Sequence, residues 1–291
     1  MGFRTVLINS RGKLETKMNY LVFKGEETKR IFLNEISTLI IQSTAVVVTT
    51  ALLCELIKNK VKVIFCDEKH NPQSELVSYY GAHNSSKKLR MQSKWADNKK
   101  QLVWTKNIQQ KIRNQGMLLK HFGFLGEANA LFKYAEEVEL NDKTNREGHA
   151  AKLYFKTLFG EKWHRDCGDF WSVALNYGYT ILLSAFNREI VKDGYVTQLG
   201  IWHDNQFNYF NLSCDLMEPF RVLIDKIVYQ MEENDENFKR KLIGVFEQKI
   251  LINKKRMFVD DAIGIYIKSI FDFLNGKGKM SIDQFNFVKE E

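Results

Sequence analysis

At 291 residues the chain is long enough for about two domains of ordinary size. A composition of 44% hydrophobic and 27% charged residues excludes the disordered, collagen-like and membrane-embedded classes. The net charge of +8 favours a polyanionic partner.

The first part of the chain has the grammar of strands. Phe3 to Asn9, Leu14 to Met18, Tyr20 to Phe23 and Arg30 to Leu33 are short β-favouring runs, separated by turn residues at Arg11-Gly12, Asn19 and Gly25. An antiparallel meander is expected. Ile36 to Ile41 and Val46 to Val48 continue the strand pattern, and Thr49 to Lys58 then places leucines at helical spacing. Val61 to Cys66 returns to strand before Asp67 to Pro72 turns the chain, and Leu76 to Tyr80 is a last strand or the lead into a linker. The most apolar window, Leu39 to Leu56, is interrupted by Gln42, Ser43, Thr44, Thr49, Thr50 and Glu55, so it reads as core and not as a lipid-spanning helix.

Beyond Gly81 only one proline occurs, Pro219, and helix formers carry apolar residues every three or four positions. The expected class is α+β: a small N-terminal antiparallel β domain with one helix over residues 1–80, a polar linker over 81–86, and an all-α domain over 87–291. The four cysteines, Cys54, Cys66, Cys167 and Cys214, form no CxxC pair and read as reduced thiols. With no charged leader ahead of a long apolar core, a cytoplasmic location and no membrane partner are expected.

Lys87 to Arg113 carries nine basic residues against one acid, Asp97, an excess equal to that of the whole chain. As one continuous helix it would extend about 40 Å. A helix stabilised for its own sake gains from mixed signs at i, i+4, whereas like charges repel there. The asymmetry therefore points to phosphate binding by Lys87, Lys88, Arg90 and Lys94, with Arg146 and Arg221 as further expected DNA contacts near the acidic residues considered next.

Leu199 to Arg221 supplies His203, Asp215 and Glu218, which can meet Glu147 once the chain folds. Such a set can hold a divalent metal. Glu147 also fits a capping box with Thr144, in which it would only return to the cap amide. Gly148 counts against that simpler role, because a glycine inside a helix costs about 1 kcal/mol relative to alanine unless something packs close to the backbone. Asp215 and Glu218 stand three apart, on one helix face. Pro219 lacks the N–H that would bond the Asp215 carbonyl, so the helix either starts there or kinks. That disturbance beside a carboxylate favours a ligand role for Glu218, with Asp215 as an orienting group or alternative ligand. His149 points to another face than Glu147, and His164 with Cys167 has only weak metal-like spacing.

Glu147-Gly148 with Ala150 and Tyr154-Phe155, Leu175 to Tyr179, Leu199-Gly200 leading to His203, and Asp215 to Arg221 together resemble the CRISPR-associated spacer-acquisition integrases, the "Cas one" family. Asn208 to Arg221, Asn71 to Glu75, Tyr80-Gly81 and His83 to Lys87 look like its type II variety. The resemblance covers nearly the whole chain. It implies a catalytic metal site of Glu147, His203 and Glu218, an N-terminal β domain used in homodimerisation, and a helical catalytic domain. It also implies a small "Cas two" partner, with other type II CRISPR proteins possible beside it, and insertion of a short DNA duplex at a CRISPR repeat. Many relatives have aspartate where this chain has Glu218.

Two carboxylates and an imidazole suit Mn²⁺ and permit Mg²⁺. The expected function is thus a metal-dependent DNA integrase and endonuclease that joins a donor 3′-OH to a repeat phosphodiester. A repair nuclease using water, or a non-catalytic DNA-binding scaffold, remains the alternative.

Overall fold

The computed structural model describes residues 4–78, 84–252, 254–278 and 286–287, and it divides into two compact units, Met1–Gly81 and Ala82–Glu291. Phe3, Tyr80 and residues 81–83 of the expected linker lie outside the described residues.

The first unit is built from β1 (Arg4–Ile8), β2 (Gly12–Lys17), β3 (Tyr20–Lys24), β4 (Thr28–Phe32), β5 (Ile36–Ile41), β6 (Val46–Val48), α1 (Thr50–Lys58), β7 (Lys62–Cys66) and β8 (Pro72–Glu75). The expected meander is present only over β2, β3 and β4, which pair antiparallel, while β6 adds to β2 in parallel. A second four-stranded sheet, in the order β1-β5-β7-β8, is parallel except at its β8 edge. The cause lies in β5 and β7. Ile36, Leu39, Ile40 and Ile41 of β5 and Val63 and Ile64 of β7 are buried in near-continuous runs, the pattern of strands covered on both faces, which parallel sheets require. Leu52 and Leu56 of α1 are fully buried in the same cluster as Leu14, Leu21, Leu39 and Val63. Leu76 to Ser78 follow β8 without strand structure.

The second unit is helical: α2 (Ser85–Gln92), α3 (Asp97–His121), α4 (Leu125–Glu136), α5 (Arg146–Phe159), α6 (Phe170–Lys192), α7 (Asn211–Met217), α8 (Arg221–Tyr229), α9 (Phe238–Ile243) and α10 (Val259–Leu274). A three-stranded sheet of β9 (Lys249–Ile252), β10 (Lys255–Phe258) and β11 (Asn286–Phe287), in the order β10-β9-β11, is an addition that the helical reading misses. Ile250 and Ile252 alternate inward in a run too short to set a period, flanked by basic residues that hide it.

The basic segment is not one 40 Å rod. Helix α2 stops at Gln92, whose side chain turns inward: its Nε2 donates to the carbonyls of Val196 and Leu199 and its Oε1 accepts from the Val196 N–H. Trp95, 6% exposed, is likewise drawn in, with Nε1 donating to Asn275 Oδ1. Two buried anchors in four residues break the helix before Asp97. Helix α3 then runs through the middle of the unit, packing on α4, α5, α8 and α10, and α6 packs on α7, α8, α9 and α10.

Among the described residues no helix is long and apolar enough to cross a membrane. Among the described residues the four cysteines form no disulfide, with Cys66 buried, Cys54 and Cys167 exposed and Cys214 between.

Candidate active site

Helix α5 starts at a left-handed Asn145, φ 51°, whose side chain accepts from the Gly148 N–H. The Asp142 carboxylate takes the N–H groups of Arg146 and Glu147. The cap is therefore Asn145 together with Asp142, and the Thr144–Glu147 box does not form. The Glu147 side chain is left for another partner. Gly148 is accounted for by the same cap, since a Cβ there would lie 2.8 Å from the Asn145 amide atoms.

That other partner is Lys111, on α3. Its Nζ lies 2.6 Å from Glu147 Oε1 and 2.6 Å from Glu218 Oε2. Glu218 opens a 3-10 turn, Glu218–Phe220, between α7 and α8, so the chain is kinked at Pro219 and continues as helix on both sides. Proline leaves the Asp215 carbonyl without its helical donor. Asn107 Nδ2 supplies a bond to that carbonyl at 3.1 Å, and Asn114 Nδ2 donates to the Pro219 carbonyl at 2.7 Å. Asn107, Lys111 and Asn114 stand at i, i+4 and i+7, a polar stripe within the largely buried middle of α3, with both asparagines fully buried and bonded to the kink.

Glu218 is almost wholly buried, and its other oxygen accepts from Arg221 Nε at 2.9 Å. Burial pushes its carboxyl upward, but the charges of Arg221 and Lys111 outweigh burial and hold it at about 2. For Lys111 burial works against the charge, and Glu218 and then Glu147 overcome it, raising its pKa.

Asp215, fully buried, organises the loop that carries His203. Its Oδ2 accepts from the N–H groups of Ile201 at 2.6 Å and Trp202 at 2.9 Å, and its Oδ1 accepts from the His203 N–H at 3.1 Å and lies 2.5 Å from His203 Nδ1. Gly200 permits this wrap, because a Cβ there would collide with the His203 carbonyl oxygen and lie 2.9 Å from Asp215 Oδ2. The bond to Asp215, then its charge and those of Glu218 and Glu147, raise the His203 pKa. With Nδ1 turned to Asp215, Nε2 is the nitrogen left to act on something else. Trp104 packs its face against Trp202, centroids 5.4 Å apart, and meets the His203 ring at 88°.

Behind Glu218 lies a cavity of about 350 Å³ lined by Lys111, Arg165, Tyr179, Glu218, Arg221 and Asp225, among others. The guanidinium groups of Arg165 and Arg221 lie 4.4 and 4.7 Å from the Tyr179 ring centroid. Tyr179 and Tyr154 both donate to the buried Asp225 carboxylate. Burial lifts Asp225 to about 6, against the lowering effect of those two hydroxyls.

This arrangement is a pair of carboxylates bridged by a lysine and framed by arginines, on a helical unit that follows a β-rich one. A model of the family described as CRISPR associated protein Cas1 matches residues 6–255. The chain belongs to the Cas1 family. It is 31% identical over 277 residues to the CRISPR-associated endonuclease Cas1 of Neisseria meningitidis, covering 92% of this chain and 91% of that one. Among solved structures it superposes on a casposase bound to integration product with a TM-score of 0.76 at 17% identity, covering 96% of this chain and 93% of the other. It matches a chain of a Cas6-RT-Cas1–Cas2 complex with a TM-score of 0.71 at 18% identity, covering 99% of this chain and 36% of that one. Those two likenesses carry the β-then-helical fold of Cas1 proteins.

Of the residues that sequence marks in this Cas1 chain, the fold brings Glu147 and Glu218 onto one positive charge, with His203 held by Asp215 where both carboxylates act on it electrostatically. Among the described residues no group of three or more His, Cys, Asp or Glu is close enough to hold a metal ion. Lys111 stands between the two carboxylates. The donor chemistry nevertheless suits a hard divalent cation, since both carboxylates already point at a single positive centre and the imidazole has its second nitrogen oriented by a carboxylate.

The predicted DNA contacts fall into two sets. Lys87, Arg90 and Lys94 line an open cavity of about 460 Å³ with Lys99 and Trp95, and Lys88 lies 4.5 Å from the Tyr195 ring centroid. Arg146 and Arg221 are instead committed to carboxylates, Arg146 to Glu137 at 2.9 Å and Arg221 to Glu218. Lys111, counted in sequence among the basic run, belongs to the acidic centre.

Proposed function

We propose that this chain is a metal-dependent DNA integrase and endonuclease of CRISPR adaptation. It joins the 3′-OH of a short donor duplex to a phosphodiester of the CRISPR repeat. The carrying observation is that Glu147 and Glu218, from separate elements, converge on one cation beside an oriented histidine. The endonuclease name of the Neisseria relative and the integration product held by the casposase support the reaction class. The Cas1–Cas2 complex matched in fold supports a small Cas2 partner.

Glu147, Glu218 and His203 Nε2 would hold Mn²⁺ or Mg²⁺. Bound there, a divalent cation would supply Lewis-acid polarisation of a phosphate and offset the negative charge that develops on it. Asp215 keeps His203 in place through its ring and its backbone N–H, and Arg221 fixes the Glu218 carboxylate. Lys87, Arg90 and Lys94 hold DNA phosphates, which positions the duplex without reading its sequence. One phosphodiester bond forms as one breaks, and the proton of the donor hydroxyl ends on the released 3′ oxygen, so no energy source is consumed. Homodimerisation through the β unit completes the reading.

The test is supercoiled repeat-bearing plasmid incubated with labelled duplex, Cas2 partner and Mn²⁺. Label should join the plasmid with wild type and not with Glu147→Ala or Glu218→Ala, while both variants still bind duplex. Joining that persists in either variant removes the assignment. Cleavage undiminished with a 3′-blocked donor, and no joining, would make the protein a hydrolytic nuclease instead.

A further inference from the structure

We propose that Lys111 is a built-in place-holder for the divalent cation: its ammonium holds Glu147 and Glu218 together whenever no metal is bound, and metal binding expels it. The inference rests on the metal-site reading above and deepens it by naming the residue against which the metal competes.

The geometry is that of a substituted cation. One ammonium meets both carboxylates at 2.6 Å, from a helix that contributes no other charge to the pair. Exposures of 13% for Lys111 and 6% for Glu218 decide how much this matters, because a buried carboxylate stripped of its partner is strongly destabilising. Charge counting points the same way. With the imidazole neutral, Glu147, Glu218 and Asp215 face Lys111 and Arg221, so a divalent ion added with all of them retained would leave one positive charge in a largely desolvated space. Departure of Lys111 removes that excess.

The residue type fits the role. A lysine is a point charge on a flexible four-carbon stem and can withdraw by rotation, whereas the planar fork of Arg221 is fixed on Glu218 and on the Tyr179 ring. Lys111 also has somewhere to go, since it lines the cavity of about 350 Å³ together with Gln115 and Phe155. Its backbone need not move. Asn107 and Asn114, one turn to either side, bond the carbonyls of Asp215 and Pro219 and pin α3 to the kink. The side chain is the mobile part of a fixed frame. The metal thus works against an internal cation already seated, which lowers its affinity and keeps the carboxylates converged before it arrives.

Calorimetric titration with Mn²⁺ alone is made on wild type, Lys111→Met and Glu218→Gln. Lys111 in wild type is then acylated with acetic anhydride, with and without Mn²⁺, and its modification followed by peptide mass spectrometry. Lys111→Met should tighten Mn²⁺ binding by about tenfold or more, as when a competing partner is removed from a desolvated charge. Acylation of Lys111 should rise with Mn²⁺ occupancy in wild type and not in Glu218→Gln. Acylation that does not rise, or an affinity that does not tighten in a folded Lys111→Met, overturns the place-holder while Glu218-dependent Mn²⁺ binding leaves the metal site standing. Mn²⁺ binding indifferent to Glu218→Gln overturns both. Should Lys111→Met fail to fold, the wild-type acylation decides.

Discussion

Asn107 donates its side-chain N–H to the carbonyl of Asp215, 108 residues further along the chain. This is the carbonyl that Pro219 deprives of its helical partner, so a polar side chain on α3 repairs a defect that proline makes in the α7–α8 segment. Asn107 Oδ1 in turn accepts from the Tyr266 hydroxyl, and all three groups are buried. Replacing Asn107 by Leu or Ala leaves a buried carbonyl and a buried hydroxyl unpaired. The expected loss is about 1–3 kcal/mol per orphaned group, measured by denaturant unfolding. A loss under about 0.5 kcal/mol would mean that the kink is satisfied in another way.

Gly200 sits where only hydrogen fits between the His203 carbonyl and the Asp215 carboxylate. Gly200→Ala should push the His203 loop away from Asp215, breaking the bonds from Ile201, Trp202 and His203. Overpacking of this kind costs about 1–3 kcal/mol. The catalytic consequence should be larger than the thermal one: strand joining should fall to the level of His203→Ala while duplex binding is kept. Comparing the two variants in the plasmid assay checks this, and near-normal joining in Gly200→Ala would exclude a need for the loop's present conformation.

The β-then-helical order and the acidic constellation are legible in sequence because each rests on a local signal: alternation, a single helical period, a proline beside a carboxylate. The parallel sheet is not, since β1, β5 and β7 are brought together from several tens of residues apart, and a short continuous apolar run signals cover on both faces without naming the strand it pairs with. Lys111 is hidden for a related reason. In sequence it is one of nine basic residues, and only the polar spacing of Asn107, Lys111 and Asn114 along a buried face separates it from Lys87, Arg90 and Lys94. The capping box at Thr144 fails because Asp142 lies near enough to take the free N–H groups, an outcome set by the left-handed turns at Asn141, Asp142 and Asn145. Asp225 gives no signal at all, and Tyr154 and Tyr179 enter only within the motifs that carry the family resemblance, because their meeting at one carboxylate depends on α5, α6 and α8 coming together.

Acid unfolding should resolve two buried carboxyls of opposite sign. Glu218 is held at about 2, below its unfolded value, so its contribution to stability is present above pH ~4.5 and is lost as pH falls towards 2. Asp225 is lifted to about 6, above its unfolded value. Its contribution is present below pH ~4 and is lost as pH rises through 6. In metal-free buffer, the stability of wild type relative to Asp225→Asn should therefore fall between pH ~4 and pH ~6, and relative to Glu218→Gln it should rise between pH ~2 and pH ~4.5. Chemical unfolding curves at fixed pH measure both, and parallel curves for wild type and Asp225→Asn across that upper window would contradict the burial of Asp225.

Duplex affinity should separate free cations from committed ones. Lys87, Arg90 and Lys94 line an open cavity and are unpaired with any carboxylate among the described residues, whereas Arg146 and Arg221 already neutralise Glu137 and Glu218. A lysine or arginine that holds a DNA phosphate displaces a counterion, and each such contact adds about 0.9 to the slope of log affinity against log salt. Replacing Lys87, Arg90 and Lys94 together by Gln should thus lower the slope by about 2–3. Arg146→Gln and Arg221→Gln should leave the slope nearly unchanged, because releasing their carboxylates substitutes one local charge effect for another without freeing a phosphate contact. A slope that falls for Arg146→Gln and not for the triple variant would place the DNA path over the start of α5, beside Glu147, and away from α2.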